Sequence, residues 1–130
     1  MSVKIERVEG NKFRAVSGGF EIVTGRIDND HASEGMSPGA VLFAALGLCT
    51  GTRVSEQMKL RGWKAGAIRV TVKPKVSKDM NRATEVNMEV ELEADLTEEQ
   101  RAEVLAEAGR CFVGNTIKNS LDVKVHLKIV

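Results

Sequence analysis

Over the first two dozen residues, apolar and polar side chains alternate. Val3 and Ile5 are separated by Lys4, Phe13 and Ala15 flank Arg14, and Phe20 and Ile22 flank Glu21. A period of two marks a strand with one covered face. Gly10-Asn11 and Gly18-Gly19 fall where hairpin turns are needed, so the pattern predicts a three-stranded meander. The stretch from Arg26 to Met36, RIDNDHASEGM, has no period and reads as an exposed loop. Ser37-Pro38 then offers a side-chain acceptor at an N-cap and a proline at the first helical position. A helix is predicted from there to about Arg61, stopping at Gly62. Its front, AVLFAALGLC, is apolar on all sides and is expected to be enclosed, whereas RVSEQMKLR behind it is amphipathic and should emerge.

Two further alternating runs follow. Ile68, Val70 and Val72 interleave with Arg69, Thr71 and Lys73. Val86, Met88, Val90 and Leu92 interleave with acidic residues and Asn87. These predict a hairpin with one apolar face, basic on one strand and acidic on the other, joined through the polar KVSKDMNRA. Thr97 and Gln100 form a capping box ahead of a second helix, TEEQRAEVLAEAGRC, with acidic residues in its first turn. FVGNTIKNS reads as another turn or two of helix. Val123, Val125, Leu127 and Ile129, alternating with Lys124, His126 and Lys128, predict a last strand. The order is βββ-α-ββ-α-β, an α+β fold in a single domain, residues 1–130. One small sheet covers one side of a helix, so a front half apolar on all sides needs a second cover. A homodimer is the simplest source of it.

Composition narrows the functions available. In 130 residues, Lys plus Arg number 19 and Asp plus Glu 18, a net charge of +1. That balance argues against a nucleic-acid domain, and with four Phe, one Trp and no Tyr there is little to stack bases on. The uncharged run from Gly35 to Thr52 has too few strong hydrophobes and too many glycines for a membrane span and reads as a core helix. The opening MSVKIERVEG lacks the apolar core of a secretory signal. The expected location is therefore cytoplasmic, where a cysteine pair is more often redox-active or metal-binding than structural.

The two cysteines are Cys49 and Cys111. Cys49 lies about three turns into the predicted helix, beyond the reach of the helix N-terminus. Burial alone would leave it an inert thiol. A reactive Cys49 needs a cation: Arg53, at i+4 on the same face, leans back toward it, and Arg14 or Arg26 could supply another. The alternatives are a core cysteine, and an Arg53 paired with Glu56 or Gln57 on an exposed face. Cys111, at a helix end, can move without unfolding a core, as a resolving thiol must, though packing alone would also explain it. His31, Cys49, Cys111 and His126 form a nominal tetrahedral set, but no two have the close spacing of zinc motifs, so no metal and no cofactor are expected. Gly39, Gly47 and Gly51 lack phosphate-loop spacing and read as close-packing positions.

SPGAVLFAALGLCT, from Ser37 to Thr50, and CFVGNTIKNSLDV, from Cys111 to Val123, together resemble the OsmC/Ohr family, the osmotically inducible and organic-hydroperoxide-resistance proteins. The first is similar to the family's proline-opened central helix ending in cysteine, and the second to its cysteine-led segment. The 62-residue separation of the cysteines suits the family, and ALGLCT looks more like the small OsmC-like branch. The resemblance implies antiparallel sheets around a long central helix in an intertwined homodimer, with active sites at the subunit boundary. It also implies a thiol peroxidase that needs no metal or bound cofactor. In that reading Cys49 attacks a hydroperoxide and becomes a sulfenic acid, Cys111 condenses with it to a disulfide, and an external dithiol reduces the pair. The family's Glu within two residues after the proline is replaced here by Gly39 and Ala40, and its activating Arg matches Arg14 best, then Arg26. Glu34 is a substitute carboxylate to consider. Phe112 and Gly114 stand where the family has a proline and a small polar residue. Leu42, Phe43, Leu46 and Phe112 could wall an apolar pocket for an organic peroxide. The alternative is an OsmC-like redox sensor or apolar-ligand-binding protein without turnover.

Overall fold

The computed structural model describes residues 1–119 and 121–130. The chain divides into two compact units, Met1–Ala44 and Ala45–Val130. In the first, β1 (Lys4–Glu9), β2 (Lys12–Ser17) and β3 (Phe20–Thr24) form an antiparallel sheet in that order. Ile5, Ala15 and Ile22 pair across it in one row, and Glu6, Arg14 and Val23 in the next, so apolar and charged faces separate only in part, with Val16 and Val23 on the charged side. The turns use Gly10, Gly18 and Gly19, all at positive φ. At Gly10 a side chain is excluded twice over, because a Cβ would meet the Ile27 carbonyl oxygen at 1.8 Å. Residues 26–36 contain no helix or strand, as expected of a loop.

Helix α1 spans Pro38–Leu60. The Ser37 hydroxyl accepts from the Ala40 amide at 3.2 Å, the N-cap that the sequence offers. The other end closes on Gly62 at φ 69°, with the Trp63 amide donating to the Met58 carbonyl and the Gly62 amide to that of Lys59. This is the Schellman pattern that a left-handed glycine permits.

In the second unit β4 (Ile68–Ser77) and β5 (Arg82–Leu92) make an antiparallel pair. The strands run further into the polar connection than the alternation suggests, and a bulge follows Lys75. Arg69 pairs with Glu91 and Lys75 with Glu85, the opposed charges expected of the outer face. On the inner face Val70 and Val72 receive α1: a Cβ on Gly47 would stand 3.0 Å from a Val72 methyl, and one on Gly51 3.6 Å from a Val70 methyl. Gly47 and Gly51 are thus packing positions; Gly39 has open space beside it. Helix α2 (Glu98–Ala108) starts on Thr97 with both halves of the capping box formed. Helix α3 (Phe112–Lys118) supplies the further turns of helix. The core gathers Val54 and Met58 of α1 with Val104 and Ala108 of α2, against Trp63, Ile68, Val90, Leu92 and Leu96.

One expectation fails, and another is met only in part within a single chain. The front of α1 is not enclosed within this chain: Leu42 is 49% and Leu48 72% exposed, while Val54 and Met58 in the back half are at 0% and 1%. The helix meets β4 along its glycine line and buries Leu46 and Thr50 beside Cys111, while Leu42 and Leu48 point away from these contacts and stay exposed. The last strand is also absent among the described residues; Val123, Val125, Leu127 and Ile129 lie in chain without regular structure or ladder partners, Leu127 at 87% exposure. Alternation specifies which side of a strand wants cover, but a strand also needs a neighbouring backbone to bond to. The order is therefore βββ-α-ββ-α-α, still α+β with antiparallel sheets.

Candidate functional site: a pair of thiols

Cys111 is the N-cap of α3, and its Sγ accepts the Gly114 amide at 3.3 Å. Glycine eases that approach, since a Cβ at 114 would lie a tight 3.1 Å from Sγ and an ordinary 3.7 Å from Leu46 Cδ1. From α1, the Thr50 hydroxyl lies 3.7 Å from the same sulfur and donates to Met88 Sδ of β5 at 3.6 Å. The Cys49 thiol lies near enough to Cys111 to favour its anion. Both cysteines are free; Cys111 is buried and Cys49 half-buried. Burial pushes the Cys111 thiol up, but the Gly114 amide, the Thr50 hydroxyl and the Cys49 thiol all favour the anion, and the balance falls below the ordinary thiol value. The fold thus brings together the two sulfurs that the sequence holds 62 positions apart.

The arginines are committed elsewhere. Arg53 pairs with Glu107 of α2 rather than with Glu56 or Gln57, and Arg110 holds the other Glu107 oxygen at 3.0 Å. The Arg53 guanidinium, foremost, keeps the Glu107 carboxyl below its ordinary value. Arg14 bonds Glu6 at 2.9 Å and lies 3.8 Å from Glu21, all within the first unit's sheet. Arg26 bonds the Asn29 side chain, and Glu34 pairs with Lys12 at 2.9 Å. His31 bonds Asp28 at 2.6 Å, while His126 is exposed and lies outside any helix or strand. Among the described residues no group of three or more His, Cys, Asp or Glu could hold a metal, nor is any helix long and apolar enough to cross a membrane.

Of the four proposed pocket walls, only Leu46 is buried beside the thiols; Phe112 is 70% exposed. A separate cleft of about 480 Å³ opens between β5, α1 and α2, lined by Val54, Val90, Leu92, Leu96 and Val104 with Asp95 and Arg101 among its polar residues. The residues that sequence reasoning missed are Thr50, Gly114, Met88 and Glu107. Thr50, adjacent to Cys49, and Gly114, three residues after Cys111, carried a local hint. Met88 and Glu107 enter through contacts between distant segments.

The fold and the site define a class: an α+β protein with two sheets, a long helix and a thiol pair at the junction of that helix with a short one. Residues 28–126 match the model of the OsmC family, described as OsmC-like protein, and the chain belongs to that family. Among solved structures it is similar to the OsmC-like protein of Mycoplasma pneumoniae, at 20% identity and a TM-score of 0.78 over 90% of this chain and 86% of that one. It also resembles the organic hydroperoxide resistance protein OhrB of Bacillus subtilis, at 17% identity and a TM-score of 0.59 over 98% of both chains. An OsmC-like hydroperoxide resistance protein from Jannaschia matches at 14% identity and a TM-score of 0.58, over 98% of this chain and 91% of that one. These likenesses establish the fold. Comparison with curated proteins gave no match.

Proposed function

We propose that this protein is a thiol-dependent peroxidase that reduces organic hydroperoxides. The observation that carries the reading is the proximity of the Cys49 and Cys111 thiols, near enough for Cys49 to favour the Cys111 anion. Family membership and the hydroperoxide-resistance neighbours agree with it. The Cys49 thiolate attacks the outer peroxide oxygen; the O–O bond breaks, the alkoxide takes a proton and leaves as alcohol, and Cys49 becomes a sulfenic acid. Cys111 attacks that sulfur, hydroxide leaves as water after taking a proton, and a disulfide joins the two. An external dithiol returns two electrons and two protons, regenerating both thiols. No metal or bound cofactor takes part.

Cys49 needs a positive neighbour to react as an anion. Arg53 and Arg14 are the candidates, each by exchanging its present carboxylates for the thiolate. The working form is a homodimer, in a reducing cytoplasm, with no nucleic-acid or membrane partner. The exposed apolar side chains of β1–β3 and of the front of α1 support the dimer. Mixing the reduced protein with one equivalent of cumene hydroperoxide should remove two thiols per chain rapidly, and Cys49→Ser should abolish the loss. Slow loss, without turnover under excess dithiol, favours the second reading, a redox sensor or apolar-ligand binder. The cleft beside α2, which mixes apolar side chains with Asp95 and Arg101, and the Gly39-Ala40 replacement of the expected Glu speak for that alternative.

A further inference from the structure

We propose that reduction of the Cys49–Cys111 disulfide runs in one direction: the incoming thiolate attacks Cys49, and Cys111 departs as a thiolate received by the Gly114 amide and the Thr50 hydroxyl. Thr50 is then a positioning residue. The inference rests on the disulfide of the reading above and says which half of it is attacked. Two independent features set the direction. The first is access: Cys49 is half-buried, whereas Cys111 is only 4% exposed. The second is the leaving group, because in thiol–disulfide exchange the sulfur that better carries negative charge leaves faster. Cys111 has an amide donor at 3.3 Å and a hydroxyl at 3.7 Å.

The hydroxyl is arranged to serve both states of that sulfur. Thr50 has one proton and two sulfurs to offer it to, Met88 Sδ at 3.6 Å and Cys111 Sγ at 3.7 Å. While Cys111 carries its proton, the Thr50 oxygen accepts from the thiol and its own hydrogen rests on Met88. When Cys111 leaves as an anion, rotation about one C–O bond turns the hydrogen onto it. Thr50 is 1% exposed, so water does not compete for either role. The step balances: reductant thiolate and protein disulfide give a mixed disulfide on Cys49 and a free Cys111 thiolate. The reductant's second thiol then displaces Cys49.

The test oxidises the full-length protein with cumene hydroperoxide and, separately, with diamide, then adds a large excess of N-acetylcysteine, quenches in acid and maps the adduct by mass. The adduct is expected on Cys49 over Cys111 by about tenfold. An adduct on Cys111, or an even split, overturns the direction and leaves the peroxidase reading standing. A disulfide formed by diamide but not by hydroperoxide removes the peroxidase reading, while the adduct still decides the direction. No disulfide with either oxidant removes both. Thr50→Val should slow mixed-disulfide formation about tenfold, as loss of a hydrogen bond to a charged group implies. Thr50→Ser should restore the rate. In a Cys49→Ser background, Thr50→Val should slow alkylation of Cys111 at neutral pH by a similar factor, with Thr50→Ser again restoring it. Equal rates with and without the Thr50→Val substitution overturn the role of the hydroxyl.

Discussion

The two sheets are written in the same pattern and end in different circumstances. Both are antiparallel, and apolar side chains separate from charged ones cleanly in β4–β5 and in part in β1–β3. The β4–β5 pair lies under α1 and α2 and shares their core. The β1–β3 sheet has no fully buried side chain, and Phe20 is 82%, Ile5 59% and Ile22 47% exposed. Alternation is thus a demand for cover, and the same chain meets that demand once. The largest test of the contrast is a pair of truncations. Met58→Ala, in the covered region, should lower stability by about 2–5 kcal/mol in urea unfolding. Ile22→Ala should cost more as protein concentration rises, as burial by a second copy requires. A loss for Ile22→Ala that does not change with concentration leaves that face bare.

Smaller changes sharpen the same comparison by loosening or tightening what covers β4 and β5. Thr97→Ala removes the capping side chain of α2 and should cost about 1 kcal/mol by chemical denaturation. Gly51→Ala should stabilise the protein by roughly 0.5–1 kcal/mol through helix propensity, because the added methyl meets Val70 at an ordinary 3.6 Å. The ion pair joining α1 to α2 gives the smallest effect and a pH signature. The Glu107 carboxyl titrates below its ordinary 4.5 in the folded protein. Its contribution is therefore complete above about pH 4.5 and is lost as pH falls through the lowered folded value. Glu107→Gln should flatten the acid limb of the thermal-midpoint profile and leave its neutral region less affected than Met58→Ala does.

Much of the architecture could be read from local chemistry. Ser37 and Pro38 start α1, Gly62 ends it, Thr97 with Gln100 starts α2, and the charges of β4 face those of β5. Each depends on residues close in sequence or on one periodic face. What is not legible depends on partners far along the chain or outside it. The alternation from Val123 to Ile129 asks for a strand without naming a neighbour, and the front of α1 asks for a cover that this chain does not supply. Local spacing offers Arg53 only partners one turn away, and its actual partner is Glu107, 54 positions on. At the candidate site, the cysteines can be picked out by type and spacing. The cradle around Cys111 cannot, because Thr50 and Met88 reach it from a helix and a strand that the sequence does not register against each other.

The sulfur of Cys111 also holds the first turn of α3 through the Gly114 amide. A helix of seven residues is too short to stand by itself in water, so its beginning is only as secure as that acceptor. Tied into a disulfide, the sulfur can no longer bear a charge and becomes a poorer anchor. Oxidation is then expected to fray the backbone from Phe112 onward, visible as faster deuterium uptake at Gly114. A chemical event on one atom would in this way be reported by a whole segment of main chain.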